Sequence, residues 1–271
     1  MATGCWWAFS AAISLAACSG PPHLRVGRII IDAPRSFDSA TSLREGLRAS
    51  VERKLAGDGS VTYDPRYRDA SHVLHLRIIE GLPEAGDDRG ALLLLVRVKP
   101  LGDGAAFEVP ARVAAGDPAT VLPAAFDEAW KVVRRERELD AAKDPPLIAA
   151  LTDDDPRIRD FVTVRLGDRK SRAAVPALCE RLVAEPKPEL VLRAIGALVA
   201  IKDPRAVEPI IDLGKRREAE FVLQTVYAIG AIGGRVAEAY LVTLASGHPN
   251  EAVRKGAEQA LAEMQRPAAK K

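Results

Sequence analysis

The sequence predicts an α+β amino-terminal domain followed by an all-α solenoid of stacked helix pairs. The solenoid is indicated by a helical unit of about 31–33 residues whose small-residue step occurs three times: Ala194, Ala197 and Leu198; Thr225, Ala228 and Ile229; Ala257, Ala260 and Leu261. Repeats of this length are stacked because one helix pair cannot bury its apolar face alone. The amino-terminal domain is indicated by segments of alternating hydrophobicity and by two amphipathic helices.

The amino-terminal domain is predicted to span residues 25–141 in the order β-α-β-β-β-β-α. The stripe of Leu43, Leu47, Val51 and Leu55 predicts the first helix, and Pro110 suggests an edge strand. We therefore expect an antiparallel sheet with both helices on one face. Strands are predicted at 25–34, 60–64, 72–81, 91–102 and 105–113, helices at 39–56 and 118–141, and a hairpin loop at 82–90.

The repeat domain is predicted to span residues 147–264 and to be followed by a disordered tail at 265–271. Asp155-Pro156 and Asp203-Pro204 fit a capping aspartate with proline at the first helical position. Pro176 and Pro209 are expected in first turns, since a proline inside a helix costs about 3 kcal/mol. Helices are predicted at 147–152, 156–166, 173–184, 189–201, 206–214, 217–231, 235–246 and 250–264.

The segments RAIGALVAIKDPRAVEPII and TVYAIGAIGGRVAEAYL resemble HEAT repeats, in particular the short bacterial class known from phycobilisome lyases. The resemblance covers about residues 147–264 and implies a solenoid whose surface binds a protein. An alternative that it implies is an enzyme or enzyme accessory of the bilin lyase-like class.

The first half resembles small envelope lipoprotein domains, namely the partner lipoprotein of the lipopolysaccharide-export barrel and the amino-terminal domain of the Tol propeller protein. The matching segments are GLRASVERKLAGDGSVTYDP, DASHVLHLRIIEG and AFDEAWKVV. This resemblance implies a second alternative, an envelope-assembly factor acting through the amino-terminal domain.

The amino terminus indicates where the protein works. Residues 4–17 are uncharged and too short to span a bilayer, as in a signal peptide. The following LAAC resembles the lipobox of bacterial lipoproteins, which implies removal of residues 1–17, acylation of Cys18 and a tether at 18–24. Ser19 implies the outer membrane, with the protein facing the periplasm. A buried amino-terminal helix is the alternative.

Composition argues against several classes of function. The formal charge of +2 and the 5% aromatic content disfavour nucleic-acid binding.

Cys179 lies on a helical apolar pattern and is expected to be a buried free thiol. Asp153-Asp154-Asp155 fits helix capping, and His72 and His75 fall on opposite faces of a strand, so we expect no metal, cofactor or catalytic site.

A cluster of positive charge is the candidate partner-binding site. Its residues lie on the first long helix of the repeats and in the loop after it: Arg157, Arg159, Arg165, Arg169, Lys170 and Arg172. They predict a basic ridge for a partner in the envelope, and a merely solvated face is the alternative. The mixed-charge segment 134–140 (RRERELD) is expected to be solvent-exposed. The sequence as a whole favours a non-enzymatic, lipid-anchored adaptor.

Overall fold

The computed structural model describes residues 23–34, 40–66, 68–80, 92–215 and 218–266. The predicted signal peptide, Cys18, the loop at 82–90 and residues 267–271 of the predicted tail lie outside these ranges. No helix among the described residues is long and apolar enough to cross a membrane.

The amino-terminal part is a five-stranded sheet with the strand order β2-β1-β3-β4-β5. Its strands are β1 (Leu24–Asp32), β2 (Val61–Tyr63), β3 (His72–Glu80), β4 (Leu92–Pro100) and β5 (Phe107–Val113). β3, β4 and β5 pair antiparallel, as expected. β1, however, pairs in parallel with both β2 and β3, so the sheet is mixed. A helical crossover between β1 and β2 returns the chain in the same direction, which explains the parallel pairing.

Two helices cover one face of the sheet, α1 (Ala40–Ala56) and α2 (Pro118–Ala141). The predicted stripe of α1 is buried at Leu47, Val51 and Leu55, and Leu43 is partly buried. Alternate strand residues, such as Leu74 and Leu76 of β3, complete the core with exposures near zero. The α+β class is thus confirmed.

The indole of Trp130 on α2 fixes the helix against the start of β2. Its Nε1–H donates to Oδ2 of Asp58 at 2.8 Å, and the ring stacks on Phe126. Asp58 also accepts hydrogen bonds from the backbone and the side chain of Ser60. This buried carboxylate therefore holds both the indole and the turn before β2.

The carboxy-terminal part is helical. Its helices are α3 (Asp144–Ala149), α4 (Pro156–Asp168), α5 (Val175–Ala184), α6 (Pro188–Ile201), α7 (Val207–Gly214), α8 (Ala219–Ile232), α9 (Arg235–Gly247) and α10 (Glu251–Gln265). α4 packs on α6, α6 on α8 and α8 on α10, whereas α5, α7 and α9 form a second layer. This two-layer stack of helix pairs is the predicted solenoid.

The proline and capping predictions are confirmed. Asp155 caps α4 by accepting from the backbone N–H of Arg157, and Asp203 accepts in the same way from Arg205 at a single 3-10 turn. Pro176 and Pro209 lie in the first turns of α5 and α7.

Small residues allow neighbouring helices of the first layer to approach closely. A Cβ added to Gly167 of α4 would lie 3.1 Å from Cβ of Ala197 on α6. A Cβ added to Gly230 of α8 would lie 2.8 Å from Cβ of Ala260 on α10. Ala197, a member of the repeated small-residue step, therefore faces a neighbouring helix.

Candidate functional site

The layer made by α4, α6, α8 and α10 presents three successive grooves, one between each pair of neighbouring helices. We call this surface the repeat face. The α4–α6 groove, of about 360 Å³, is lined by Val164, Leu192 and Gly196. The α6–α8 groove, of about 490 Å³, includes Leu192 and Gln224. The α8–α10 groove, of about 380 Å³, includes Tyr227, Ala260 and Met264.

Two large apolar side chains stand out from the repeat face. Leu192 is 42% exposed and Tyr227 is 41% exposed, although both belong to helices that bury their other apolar residues. Glycine and alanine line the α4–α6 and α8–α10 grooves, among them Gly196, Ala197 and Gly230. Exposed apolar side chains beside such grooves are suited to contact with another protein.

The predicted basic ridge is not a free surface, because four of its six members bind groups within the chain. Arg159 forms a bidentate pair with Glu185 and donates to the carbonyl oxygens of Asp153 and Asp154. Arg157 binds its own capping residue, Asp155, and donates to the carbonyl oxygen of Pro110 at 3.1 Å.

The other members divide between internal contacts and solvent. Arg169 donates to the carbonyl oxygens of Asp140 and Ala142 at the end of α2, and Arg165 lies 2.9 Å from the carboxylate of Asp140. Lys170 and Arg172 have exposed side chains. The predicted ridge is therefore not one exposed basic surface, because four of its arginines face carbonyl and carboxylate oxygens of the chain. Partner binding by this cluster stays a prediction.

Residues 145–229, from α3 into α8, match the HEAT repeats family. HEAT repeats are commonly protein-interaction modules. The match covers the first two grooves of the repeat face and agrees with the resemblance to HEAT repeats as far as residue 229. No curated protein matches the chain.

A cleft of about 440 Å³ lies where α4 meets the sheet. It is bounded by β5, α2, α4 and the start of α6. Phe107 of β5 and Phe161 of α4 form an aromatic wall with ring centroids 6.1 Å apart. The guanidinium of Arg165 lies over the ring of Phe161, 5.2 Å from its centroid. β5 is the edge strand, as Pro110 predicted, so its outer edge is available to form this cleft.

Glu136 of α2 reaches this cleft with an unpaired carboxyl group. The residue is 4% exposed, and within the described residues its carboxyl has no hydrogen bond or ion pair. Burial raises the pKa of Glu136 to about 8, although Arg157 and Arg165 act in the opposite direction. The carboxyl is therefore protonated at neutral pH and presents an O–H donor.

A second unsatisfied donor lines the same cleft. Nε of Arg165 is close enough to Asp140 for an ion pair, but its N–H does not point at the carboxylate. As a result, this buried Nε–H has no hydrogen-bond partner in the part of the chain that the structure describes. Two residues that carry a donor without a hydrogen-bond partner, one neutral and one cationic, thus line one cleft.

The sequence prediction missed Glu136 because segment 134–140 was expected to be exposed. Arg134, Arg135 and Glu138 are indeed exposed, but Glu136 and Arg137 are each 4% exposed. Both continue the apolar stripe of α2, at three and four residues after Val133. α2 is buried on two sides, by the sheet and by α4, which widens its buried arc. The spacing of Glu136 and Arg137 in step with the apolar stripe was the sequence signal that could have predicted their burial.

The remaining candidate residues have structural roles. Cys179 is a partly buried free thiol whose pKa burial raises, which is unlike an activated nucleophile. His75 binds Asp32, whereas His72 lies on the other face of β3 beside Ser71. Within the described ranges, no group of three or more His, Cys, Asp or Glu residues is arranged to hold a metal ion.

Proposed function

We propose that this protein is a non-enzymatic adaptor, anchored in the bacterial envelope by a lipid on Cys18, that binds a protein partner through the repeat face. The observation that supports the proposal best is the row of three grooves on one layer of a region matching the HEAT repeats. A solenoid offers equivalent positions in each repeat, so a partner segment binds several grooves in succession.

The proposed anchor rests on the sequence of the amino terminus. Leu15-Ala16-Ala17-Cys18 has the form of a lipobox, and β1 begins soon afterwards at Leu24. A lipid on Cys18 holds the sheet at the membrane surface. We propose that this surface is the periplasmic side of the outer membrane. In this location the repeat face would bind partners that lie in the periplasm or are held at the membrane.

The test combines membrane fractionation with crosslinked capture from a host that processes lipoproteins. Wild-type protein is expected in the membrane fraction and Cys18→Ser in the soluble fraction. The double variant Leu192→Asp, Tyr227→Asp is expected to reach the membrane and to lose the captured partner, because two buried charges would disrupt an apolar contact.

The matched control is Val242→Asp on α9, which is 52% exposed and lies in the other layer. It is expected to keep both membrane association and partner capture. An intact Met1 terminus on soluble wild-type protein would reject the anchor. Equal capture by the double variant and by wild type would reject the repeat face.

A further inference from the structure

We propose that the cleft between β5, α2 and α4 binds the carboxylate of an apolar acid between Arg165 and Glu136. Its unsatisfied groups are both donors, the carboxyl O–H of Glu136 and the Nε–H of Arg165. Buried donors without acceptors are uncommon in folded proteins, so their complement is an acceptor group. A carboxylate accepts from the O–H of Glu136 and pairs with the guanidinium charge of Arg165.

The charges around the cleft favour an anion over an amine. Arg157 and Arg165 both face the Glu136 carboxyl and would repel a bound cation. Four acidic groups near the cleft are already engaged: Asp155 with Arg157, Asp160 with Arg193, Glu108 with Arg97, and Asp140 with Arg165. Lys187 and Glu189 lie at the rim formed by the start of α6 and carry opposite charges, which offset each other.

The rest of the cleft is suited to an apolar group. Phe107 and Phe161 form one wall, and Val164 and Leu190 extend it. The volume of about 440 Å³ falls in the range of small-molecule sites. The carboxylate belongs either to a free aromatic or aliphatic acid or to the carboxyl terminus of a peptide that ends in an apolar residue.

The bound carboxylate requires the proton on Glu136. The other charged groups facing Glu136 are Arg157, Asp160 and Arg165 of α4, its cap Asp155, and Glu108 of β5 across the cleft. Burial holds the pKa of Glu136 at about 8, so its proton is lost between pH 7 and pH 9. The ionised form offers no donor and repels the ligand, hence affinity falls about tenfold over this range.

The experiment is an NMR titration of the full chain with 3-phenylpropionate and with its amide, at pH 7 and pH 9. The acid is expected to shift the amide signals of Phe161 and Val164 saturably at pH 7, and 3-phenylpropionamide to bind at least tenfold more weakly. An acetylated Ala-Phe dipeptide with a free or an amidated carboxyl terminus forms the second arm. Binding of 3-phenylpropionate identifies free small acids as the ligand class. Binding of the dipeptide acid without binding of 3-phenylpropionate identifies the carboxyl termini of peptides.

Three variants test the two donors. Arg165→Gln is expected to weaken binding of the acid at least tenfold. Glu136→Gln keeps an N–H donor and is expected to bind within about threefold of wild type at pH 7 but to lose the fall in affinity at pH 9. Glu138→Gln, an exposed residue on the same helix that pairs with Arg135, is the control and is expected to behave as wild type.

The proposal is overturned if neither acid binds, if acid and amide bind equally, or if the shifts map outside the cleft. It is also overturned if Glu136→Gln retains the wild-type pH profile, a result that does not depend on the folding of the Arg165 variant. These measurements depend neither on the lipid anchor nor on partner capture. Their outcomes therefore leave the proposed adaptor function to its own test.

Discussion

Glu185 shows how single side chains determine the charge properties of the repeats. Its side chain is 3% exposed and accepts hydrogen bonds from Arg159 and Arg181. These contacts, the bond from Arg159 first, lower the pKa of Glu185 from 4.5 to about 2. Two arginines and one carboxylate thus tie α4 to the carboxy-terminal end of α5, and their charges are not available to a partner.

The residue-scale prediction concerns Glu185→Gln. Because the folded state has the lower pKa, the stabilisation is complete above pH 4.5 and is lost as the pH falls toward 2. Its size from this difference in pKa is about 3 kcal/mol. We expect urea denaturation at pH 7 to show a loss of that order for Glu185→Gln. The gap between variant and wild type should narrow as the pH is lowered to 3.

The control for this prediction is Asp160→Asn, which breaks the more exposed pair between Asp160 and Arg193. It is expected to cost less than about 1 kcal/mol, as exposed pairs do. A pH-independent difference for Glu185→Gln would show that the ionic contacts are not the source of its stabilisation.

At the scale of helices, the contact between neighbouring first-layer helices depends on which glycine faces a neighbour. Gly230 of α8 lies against Ala260 of α10, so a methyl group there has no room. Gly196 of α6 has nothing within 4 Å of an added Cβ, because it lies on the open repeat face. Two glycines in equivalent helices thus serve different purposes.

The element-scale prediction compares the same substitution at these two glycines. Gly230→Ala is expected to destabilise the protein by about 1–3 kcal/mol because the helices must separate. Gly196→Ala is expected to stabilise it by up to about 1 kcal/mol, because alanine restricts the unfolded chain and favours the helix. Urea denaturation of the full chain measures both. Destabilisation by Gly196→Ala would contradict the open environment assigned to it.

At the scale of the whole molecule, α2 belongs to both halves. It packs on β5, β4 and α1 on one side and on α4 on the other. Arg169 binds the carbonyl oxygens that end α2, and Arg157 binds the edge strand at Pro110. Three arginines of the predicted ridge, Arg157, Arg165 and Arg169, thus join the sheet domain to the helical repeats.

The whole-molecule prediction is that sheet and repeats unfold together. In a Trp6→Phe, Trp7→Phe background, Trp130 fluorescence reports the sheet side of α2, and far-ultraviolet circular dichroism reports mainly the repeats. The two urea midpoints are expected to coincide. Arg169→Ala removes two charged hydrogen bonds from the junction and is expected to cost about 1.5–3 kcal/mol and to separate the midpoints. Separate midpoints in the parent chain would contradict this coupling.

The kinds and the order of the elements follow from local sequence patterns. Apolar periodicity, capping aspartates and prolines act over a few residues, so α2 was predicted with the observed bounds and the repeat helices within a few residues. The edge position of β5 also followed from one residue, Pro110.

The direction of β1, the burial of Glu136 and the partners of the arginines follow instead from how the whole chain packs. Each depends on groups far apart in the chain: Arg159 meets Glu185 across 26 residues, and Arg169 meets the carbonyl oxygen of Asp140 across 29. The position of a charged residue in the sequence does not indicate which residue it will pair with. Whether it is exposed or paired depends on which helices pack together, and that packing is settled by the apolar core of the whole molecule.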